Sequence, residues 1–516
     1  MKKVTVRLTV LAIGLLSLAA WLLLRREPPV TVPDGARAGE VILAACTVRS
    51  GGVRRDADCG TLVVPEIRRD PKVRLIALPV TRIHASAANP AEPIFYLAGG
   101  PGHSNMTFRP PAWLLTDHDV VMVGYRGVDG TPKLDCPEVA DAMSAGSGDL
   151  LGPASLDSLG AAMQRCAVRL QTGGVDLDGY SIPEVVEDME AARKALGYER
   201  IDLLSESYGT RVAQVYATMH PTSLLRSAMI GVNPPGHFLW QPDVVDAQVA
   251  YYADLWKRTG DPAAPDIAAV MRRVNTDMPR RWLFLPIDQG KVKILSFAML
   301  FHRTTAPIVF DAYLAADEGD LGGLAFMSLA FDFVMPKLMT WGEFFAVGGS
   351  ADFEPGRNYR SELVAPGATL GAPMSLLIWG SADGWPVTPI ADEYREVHPT
   401  DVETLLVSGS IDFSTPAQFA EAELLPSLRN GRHVVIAEQG HVGDFWAFQG
   451  AAAERLLTSF FATGQADDSL YETLPMDFRP TVRLPVVAKV VSITGILLAG
   501  ILVWAAWTIA RRRRRA

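Results

Sequence analysis

The sequence predicts a fold of the α/β class: a mostly parallel central sheet flanked by helices, a helical insertion, and an apolar helix at each end. Three observations predict the sheet. A β-rich run at 201–205 enters a tight turn, and a helix-compatible stretch follows at 210–220. A glycine-rich turn at 99–102 follows an apolar run. Two later strand-like runs, 402–407 and 433–437, each lead into a polar loop.

Composition and charge are those of a globular chain of 516 residues. Hydrophobic residues make up 49% and charged residues 20%, which excludes a disordered protein. The segment 27–484 holds all 57 acidic residues and 37 of the 48 basic ones, a net charge near −20. This charge argues against nucleic-acid partners and favours cationic ligands.

Ser207 is the predicted nucleophile. It stands in the tight turn between the β-rich run and the helix, which is the context of a nucleophile elbow. The usual elbow pattern is Gly-x-Ser-x-Gly, and Ser205 here replaces the first glycine. A small side chain still lets helix and strand approach closely, so we expect the elbow to form.

The turn Gly99-Gly100-Pro101-Gly102 supplies the second part of the predicted site. Acyl transfer needs two backbone N–H groups aimed at the developing oxyanion. At an elbow of this kind one comes from the residue after the nucleophile, and the other comes from an earlier loop after a strand. We therefore predict Tyr208 and Gly100 as the oxyanion donors.

An acid and a histidine follow in the order Ser, Asp, His. Asp412 and His441 each follow a late strand-like run. The acid would hold the imidazole tautomer, and the histidine would take the proton from Ser207. Asp383 competes for the acid role, but it precedes His441 by 58 residues, whereas Asp412 precedes it by 29. Only the shorter gap fits one helix and one strand, so we predict Asp412.

Together these motifs resemble the proline iminopeptidase and tripeptidyl aminopeptidase family of α/β-hydrolases. The resemblance covers roughly residues 45–235 and 375–460. Its motifs run in order along the chain, at 59–65, 99–102, 126–131 reaching Cys136, 188–197, 205–210, 385–386, 412–416 and 440–441. Gly124 departs from the pattern because the family has an aspartate there. We expect the loop at Arg126 to lose a bracing carboxylate.

The resemblance implies an α/β-hydrolase fold with a cap over the site and an exopeptidase that acts through an acyl-enzyme. A prolyl or tripeptidyl aminopeptidase is the expected type, with no cofactor, and the spacing of Cys and His indicates no metal site. Fold does not fix substrate, so an esterase- or lipase-like hydrolase stays open, as does a non-catalytic binding protein. The expected partners are a peptide or small ester or amide and a membrane; the oligomeric state is left open.

An aminopeptidase must bind a free ammonium group with a carboxylate. Four candidates lie in the predicted cap, and the sequence does not rank them: Asp317, Glu318, Glu343 and Glu354. Glu206 lies nearer the nucleophile, and we expect it to brace the elbow from below.

Four cysteines allow three pairings. Their proximity in sequence, together with the early pair usual in the family that the chain resembles, favours Cys46 with Cys59 and Cys136 with Cys166. Disulfides suit a compartment outside the cytoplasm.

Both ends of the chain carry apolar runs. The uncharged run 8–24 lies between basic residues, as in a signal peptide or an uncleaved signal anchor. A convincing small-x-small cleavage site followed by a polar segment is lacking, which favours the anchor. The uncharged run 490–510 is long enough to span a bilayer, with Trp504 and Trp507 near one end. The arginines at 511–515 predict a cytoplasmic C-terminus. The catalytic domain would then lie on the periplasmic or extracellular face.

These predictions divide the chain into eight segments. They are a signal anchor or signal peptide (1–26), a linker (27–44), the first part of the hydrolase core (45–235), a helical cap insertion (236–370), the second part of the core (371–465), a tether (466–485), a C-terminal transmembrane helix (486–510) and a basic cytoplasmic tail (511–516).

Overall fold

A computed structural model describes residues 30–70, 74–145, 148–259 and 264–513 of the chain. The predicted N-terminal anchor at 1–26 lies outside these residues. In the described part, nine strands form one sheet and two form a separate hairpin. The strands are β1 Val41–Ser50, β2 Val53–Pro65, β3 Leu75–Ile83, β4 Ala91–Leu97, β5 His118–Val123, β6 Ile201–Glu206, β7 Leu224–Ile230, β8 Arg281–Trp282, β9 Leu285–Pro286, β10 Glu403–Gly409 and β11 Gly431–Ile436.

Helices connect these strands and form the insertion between β7 and β10. They are α1 Pro137–Ser144, α2 Pro153–Thr172, α3 Ile182–Ala195, α4 Tyr208–Met219, α5 Pro242–Arg258, α6 Ile267–Thr276, α7 Gln289–Met299, α8 Ala306–Asp317, α9 Gly322–Val334, α10 Trp341–Asp352, α11 Tyr359–Leu363, α12 Pro373–Trp379, α13 Ala417–Phe419, α14 Val442–Ala447, α15 Gly450–Thr463 and α16 Leu484–Arg513.

The large sheet has the strand order β1-β2-β3-β5-β4-β6-β7-β10-β11. Strands β1, β2, β3 and β5 pair antiparallel, and every pairing from β5 through β4, β6, β7 and β10 to β11 is parallel. The predicted α/β class with a mostly parallel sheet is confirmed. Because β4, β6, β10 and β11 run in one direction, the loops at their carboxyl ends meet at one edge of the sheet.

The centre of the parallel half of the sheet is buried, since helices cover it. Every residue of β6 is buried, and Ile94, Phe95, Leu203 and Leu204 are fully inaccessible. Strands covered on both faces read as continuous apolar runs. This packed centre gives the loops at the carboxyl edge a rigid base.

The insertion between β7 and β10 is mostly helical, and its one hairpin, β8–β9, pairs apart from the large sheet in the described residues. The domain boundaries stay a prediction, with three local adjustments. Strand β1 begins at Val41, inside the predicted linker. Helix α12 covers 373–379, where an apolar run leads towards Asp383. Helix α16 begins at Leu484 and continues to Arg513.

Both predicted disulfides are confirmed. Cys46 joins Cys59 between β1 and β2 with a Cα–Cα distance of 5.8 Å, and Cys136 joins Cys166 between α1 and α2 with one of 5.5 Å. Glu138 lies close enough to Cys136 and Cys166 to resemble a metal-ligand cluster. Both sulfurs are already bonded to each other, so this cluster is a crosslink.

Helix α16 contains an apolar stretch of 25 residues, Leu484–Thr508, with a mean hydropathy of 2.4. Only 12% of the most apolar part of this stretch is buried against the rest of the protein. The first turns pack against α8 and α9, where Lys489 Nζ lies 2.6 Å from Asp320 Oδ2 and Arg483 Nε lies 3.0 Å from Asp311 Oδ1. Length and composition therefore fit a bilayer crossing that starts from the helical insertion.

Candidate active site

Ser207 occupies a strained turn between β6 and α4. Its φ is 51° and its ψ is −119°, and positive φ is uncommon for a non-glycine residue. Its N–H donates to Ile230 O at 2.9 Å. A Cβ at Gly209 would lie 2.2 Å from Leu97 O, so only glycine fits there. Ser205 is accommodated because its buried hydroxyl donates to a carbonyl oxygen on β7 at 3.2 Å.

The loop after β4 lies against this turn. Strands β4 and β6 pair in parallel, and a Cβ at Gly99 would lie 3.2 Å from Ser207 Cβ. Gly100 follows with φ 134°, a conformation that favours glycine. Tyr208 opens α4, and N–H groups of a first helical turn lack intrahelical acceptors. Both predicted oxyanion donors therefore belong to backbone next to Ser207.

Asp412 and His441 are hydrogen-bonded to each other. Asp412 Oδ2 lies 2.8 Å from His441 Nδ1, and the carboxyl group is fully buried. The N–H groups of Ser414 and Thr415 donate to Oδ1 at 2.8 and 2.9 Å, and the Thr415 hydroxyl donates to Oδ2 at 2.8 Å. These donors fix the orientation of the carboxylate, which can hold the imidazole N–H on Nδ1.

The backbone at 230–231 links the histidine to the serine. Ile230 accepts the Ser207 N–H, and a Cβ at Gly231 would lie 2.9 Å from His441 Cε1. Gly231 has φ 64°, so both its backbone conformation and its close contact with His441 require glycine. Sequence reasoning missed this residue. A glycine directly after a strand was the signal, although glycine after a strand is common.

Asp383, the competing acid, lies apart from the imidazole. It is exposed in a short turn at 382–384 that packs against α2, where a Cβ at Gly384 would lie 2.0 Å from Gly160 O. The hydrogen bond to His441 belongs to Asp412.

Two family models match these segments. The model described as the alpha/beta hydrolase fold matches residues 92–288, which include Ser207, and the model described as TAP-like protein matches residues 376–471, which include Asp412 and His441. The chain therefore has the α/β-hydrolase fold, and its later segment is similar to TAP-like proteins.

Two curated relatives of this α/β-hydrolase are tripeptidyl aminopeptidases, one from Streptomyces lividans and one from Streptomyces coelicolor. Each is 26% identical over 325 residues, a match that covers 55% of this chain and 60% of the relative. The chain thus spans less than two thirds of the length of these relatives. A solved structure of proline iminopeptidase from Mycobacterium smegmatis is 14% identical, with a TM-score of 0.38, and covers 78% of this chain and 98% of that one.

Glu206, next to Ser207 in the α/β-hydrolase core, has both carboxyl oxygens occupied. Its Oε2 accepts from Tyr96 Oη at 2.7 Å, and its Oε1 accepts from Trp446 Nε1 at 2.6 Å. Burial raises the pKa of Glu206, while the Tyr96 and Trp446 donors act in the opposite direction. The contacts connect β4, β6 and α14, as expected of a residue that braces the elbow.

Arg126 keeps an ion pair despite Gly124. Its Nε and Nη2 donate to the two oxygens of Asp188, each at 2.7 Å, and the side chain is fully buried. A Cβ at Gly124 would lie 2.6 Å from Asp129 Cβ and 2.7 Å from the Pro79 ring. The expectation that this loop loses its brace is therefore wrong: Asp188 supplies the carboxylate, and no side chain fits at 124.

Glu343 stands out among the four cap carboxylates. It is fully buried on α10, and neither oxygen has a well-formed hydrogen bond within the described residues. Burial raises its pKa to about 8, with the Gly102 N–H acting the other way. By contrast, Asp317 pairs with Arg273 at 2.6 Å, and Glu318 and Glu354 are exposed.

The surroundings of Glu343 belong to the oxyanion loop and elbow. Burial and the Glu343 charge raise the pKa of Tyr208 well above its usual value, and the Tyr208 hydroxyl also lacks a partner among the described residues. A Cβ at Gly102 would lie 3.1 Å from Thr340 at the start of α10. An unpartnered carboxyl group thus lies beside the loop that carries Gly100.

Proposed function

We propose that the protein is a membrane-anchored serine hydrolase that acts as an aminopeptidase, of prolyl or tripeptidyl type, on peptide substrates. The observation that carries the proposal is the 2.8 Å contact between Asp412 and His441 beside the strained turn at Ser207. Similarity to the two Streptomyces tripeptidyl aminopeptidases supports the peptidase assignment.

In the acylation step, Ser207 Oγ attacks the scissile carbonyl carbon while His441 Nε2 accepts the hydroxyl proton. Asp412 holds the Nδ1 proton in place and stabilises the imidazolium. The N–H groups of Gly100 and Tyr208 donate to the oxyanion. The imidazolium then protonates the leaving amine, the C–N bond breaks, and the acyl group stays on Ser207.

In the deacylation step, a water molecule attacks the acyl carbon and gives a proton to His441. The same backbone donors stabilise the second oxyanion. When the C–O bond to Ser207 breaks, the imidazolium returns its proton to Oγ. The products are a carboxylic acid and the free serine.

Glu343 is our candidate for the group that binds the substrate ammonium. A buried carboxyl group without a partner is costly unless a ligand satisfies it. An ammonium group would supply both charge and N–H donors, and it would favour the ionised carboxylate. Because Glu343 lies on α10 beside Gly102, this contact would place the substrate N-terminus near the oxyanion loop.

An esterase is the second candidate, and one observation favours it. Helix α10 also carries Trp341, Phe344 and Phe345, whose ring centroids lie 5.7–5.9 Å apart. A Cβ at Gly348 on the same helix would lie 3.9 Å from Pro101. An aromatic cluster near the oxyanion loop would suit an acyl chain.

A substrate panel separates the two candidates. The full-length protein in detergent would be assayed with aminoacyl and tripeptidyl amides bearing a free amine, with the same amides N-acetylated, and with short acyl esters. We expect turnover of the free amides and loss of turnover on acetylation, with Ser207→Ala as the inactive control. Turnover of esters alone would contradict the aminopeptidase proposal and favour the esterase.

The anchoring part of the proposal places α16 across the membrane, the catalytic domain outside and residues 511–516 in the cytoplasm. The exposed apolar stretch of α16 and the two disulfides support it. A reporter that works only in the cytoplasm should be active when fused after Ala516 and inactive within 466–484. Activity at both sites, with all four thiols open to alkylation before reduction, would contradict this topology.

A further inference from the structure

We propose that the turn at Leu283 and Phe284, between β8 and β9, inserts into the surface of the bilayer that holds α16. The protein would then touch the membrane at two places, and its orientation on the membrane would be fixed. This inference rests on the anchoring proposed above and adds a lipid-binding element to it.

The turn is apolar and points into solvent. Leu283 is 64% exposed and Phe284 is 54% exposed. Hairpin turns normally carry Gly, Asn or Asp, and Leu283 has φ 49°, a conformation that such residues adopt more readily. An exposed apolar pair in a conformation unfavourable for leucine indicates a binding role rather than a folding one.

The hairpin lies beside the base of α16. The position that a Cβ would take at Gly322 is 3.1 Å from Trp282 Cζ2 and 3.3 Å from Ala488 Cβ. Trp282 directly precedes the apolar turn, and Ala488 belongs to α16. The neighbouring residues Asp320 and Lys489 form an ion pair at 2.6 Å, which fixes α16 at this level.

The same level marks where α16 leaves the protein. Ala488 is buried, whereas Val490 is 58% exposed and Ile493 is 58% exposed. From Val490 to Ala510 the helix carries no charged residue, and apart from Ser492 its described side chains are mostly exposed, so the lipid boundary falls close to Lys489. The apolar turn, one residue from Trp282, therefore lies near that boundary.

Charge around the turn suits a lipid surface. Arg280 and Arg281 precede it, both exposed and without an ion pair in the described part of the chain. The nearby Asp320 is already neutralised by Lys489. Basic residues that flank an exposed apolar pair are typical of segments that bind anionic headgroups while their apolar side chains enter the acyl region. A bilayer can bind both the basic residues, through its headgroups, and the apolar pair, through its acyl chains.

The test uses the fact that the four cysteines are all paired, so an introduced cysteine is the one free thiol. The full-length variant Phe284→Cys would carry an environment-sensitive fluorophore in vesicles of phosphatidylcholine and phosphatidylglycerol with doxyl-labelled acyl chains. Leu498→Cys in α16 is the positive control. Val53→Cys, 51% exposed at the start of β2, is the matched control, on the strand next to the sheet edge that lies opposite β11.

We expect a blue-shifted emission and quenching by doxyl lipid at 284 and 498, and neither at 53. Leu283→Cys should behave like Phe284→Cys, which guards against a local folding fault. Quenching at 498 with the emission at 283 and 284 equal to that at 53 would overturn the inference while leaving the anchoring intact. No quenching at 498 would overturn the anchoring and the inference together. Serine-probe labelling in the same vesicles reports separately on the hydrolase proposal.

Discussion

The loop after β10 and helix α10 each bury a carboxyl group, but the two groups differ in their hydrogen bonding. Asp412 is fully buried and receives three hydrogen bonds from Ser414 and Thr415 besides its contact with His441. Glu343 is equally buried, yet neither of its oxygens has a well-formed hydrogen bond within the described residues. One carboxyl group has its partners built into the fold, and the other has no well-formed hydrogen bond within the described residues.

This difference in hydrogen bonding determines what each carboxyl group can do without rearrangement of the protein. A carboxylate with several donors is held in one orientation, which suits a residue that must orient a histidine through every turnover. For a buried carboxyl group whose one nearby donor, the Gly102 N–H, makes no well-formed hydrogen bond, burial favours the neutral form until a cation binds. The predictions below test the two halves of this contrast.

The largest effect is expected from the serine that the Asp412–His441 pair would activate. Ser207→Ala should abolish labelling by a fluorophosphonate probe, and His441→Ala should lower kcat by about 10³–10⁶-fold. Labelling measures the nucleophile, and steady-state kinetics measure the base. Full activity of Ser207→Ala would show that the elbow is not the reactive site.

The next prediction concerns Asp412, the carboxyl group whose hydrogen bonds are formed within the fold. Asp412→Asn should lower kcat by about 10⁴-fold, because an amide can donate to Nδ1 and favour the wrong imidazole tautomer. Asp383→Asn is the matched control, since Asp383 is exposed in its turn and should matter little. If the control loses more activity than Asp412→Asn, the acid belongs to the earlier loop.

A smaller effect is expected from substitution of Glu343, the carboxyl group that has no well-formed hydrogen bond. Glu343→Gln should raise KM for amides with a free amine by about 10–100-fold, the usual range for losing a charge-assisted hydrogen bond. KM for N-acetylated or ester substrates should hardly change. Glu354→Gln, on an exposed side chain, is the control. An equal rise in KM for blocked substrates would assign Glu343 a structural role.

The smallest effect is a pH dependence of stability without substrate. Burial raises the pKa of Glu343 from 4.5 to about 8, so between these values the folded protein binds more protons than the unfolded chain. Its contribution to the free energy of unfolding is complete below pH 4.5 and falls as the pH rises to about 8. The variant Glu343→Gln should lack this decline in Tm, measured from pH 5 to 8. Parallel Tm profiles for both proteins would mean that Glu343 has a partner.

The core of the site could be predicted from sequence because its signals are local. The turn around Ser207, the glycines before Pro101 and the order of Asp412 and His441 each depend on a few adjacent residues. The disulfides followed from the proximity of the four cysteines in sequence, together with the early pair usual in the family that the chain resembles. These features need little knowledge of how distant segments pack.

The remainder depends on contacts between distant segments. No short pattern indicates that Glu343 is buried without donors, since Glu318 and Glu354 have the same chemistry and are exposed. Gly231 matters because the ring of His441 packs on it, and Asp188 replaces the carboxylate missing at 124 from a helix 64 residues later. Such roles follow from tertiary packing that pattern and spacing do not report.

The docking of α16 has a mechanical consequence. Arg483 and Lys489, at the start of α16, form ion pairs with Asp311 and Asp320, so the first turns of the helix are attached to α8 and α9. The sheet that carries Ser207 is connected to α16 by segment 464–483. If α16 crosses the membrane as proposed, the helical insertion, rather than the sheet, is the part of the catalytic domain attached directly to the anchor.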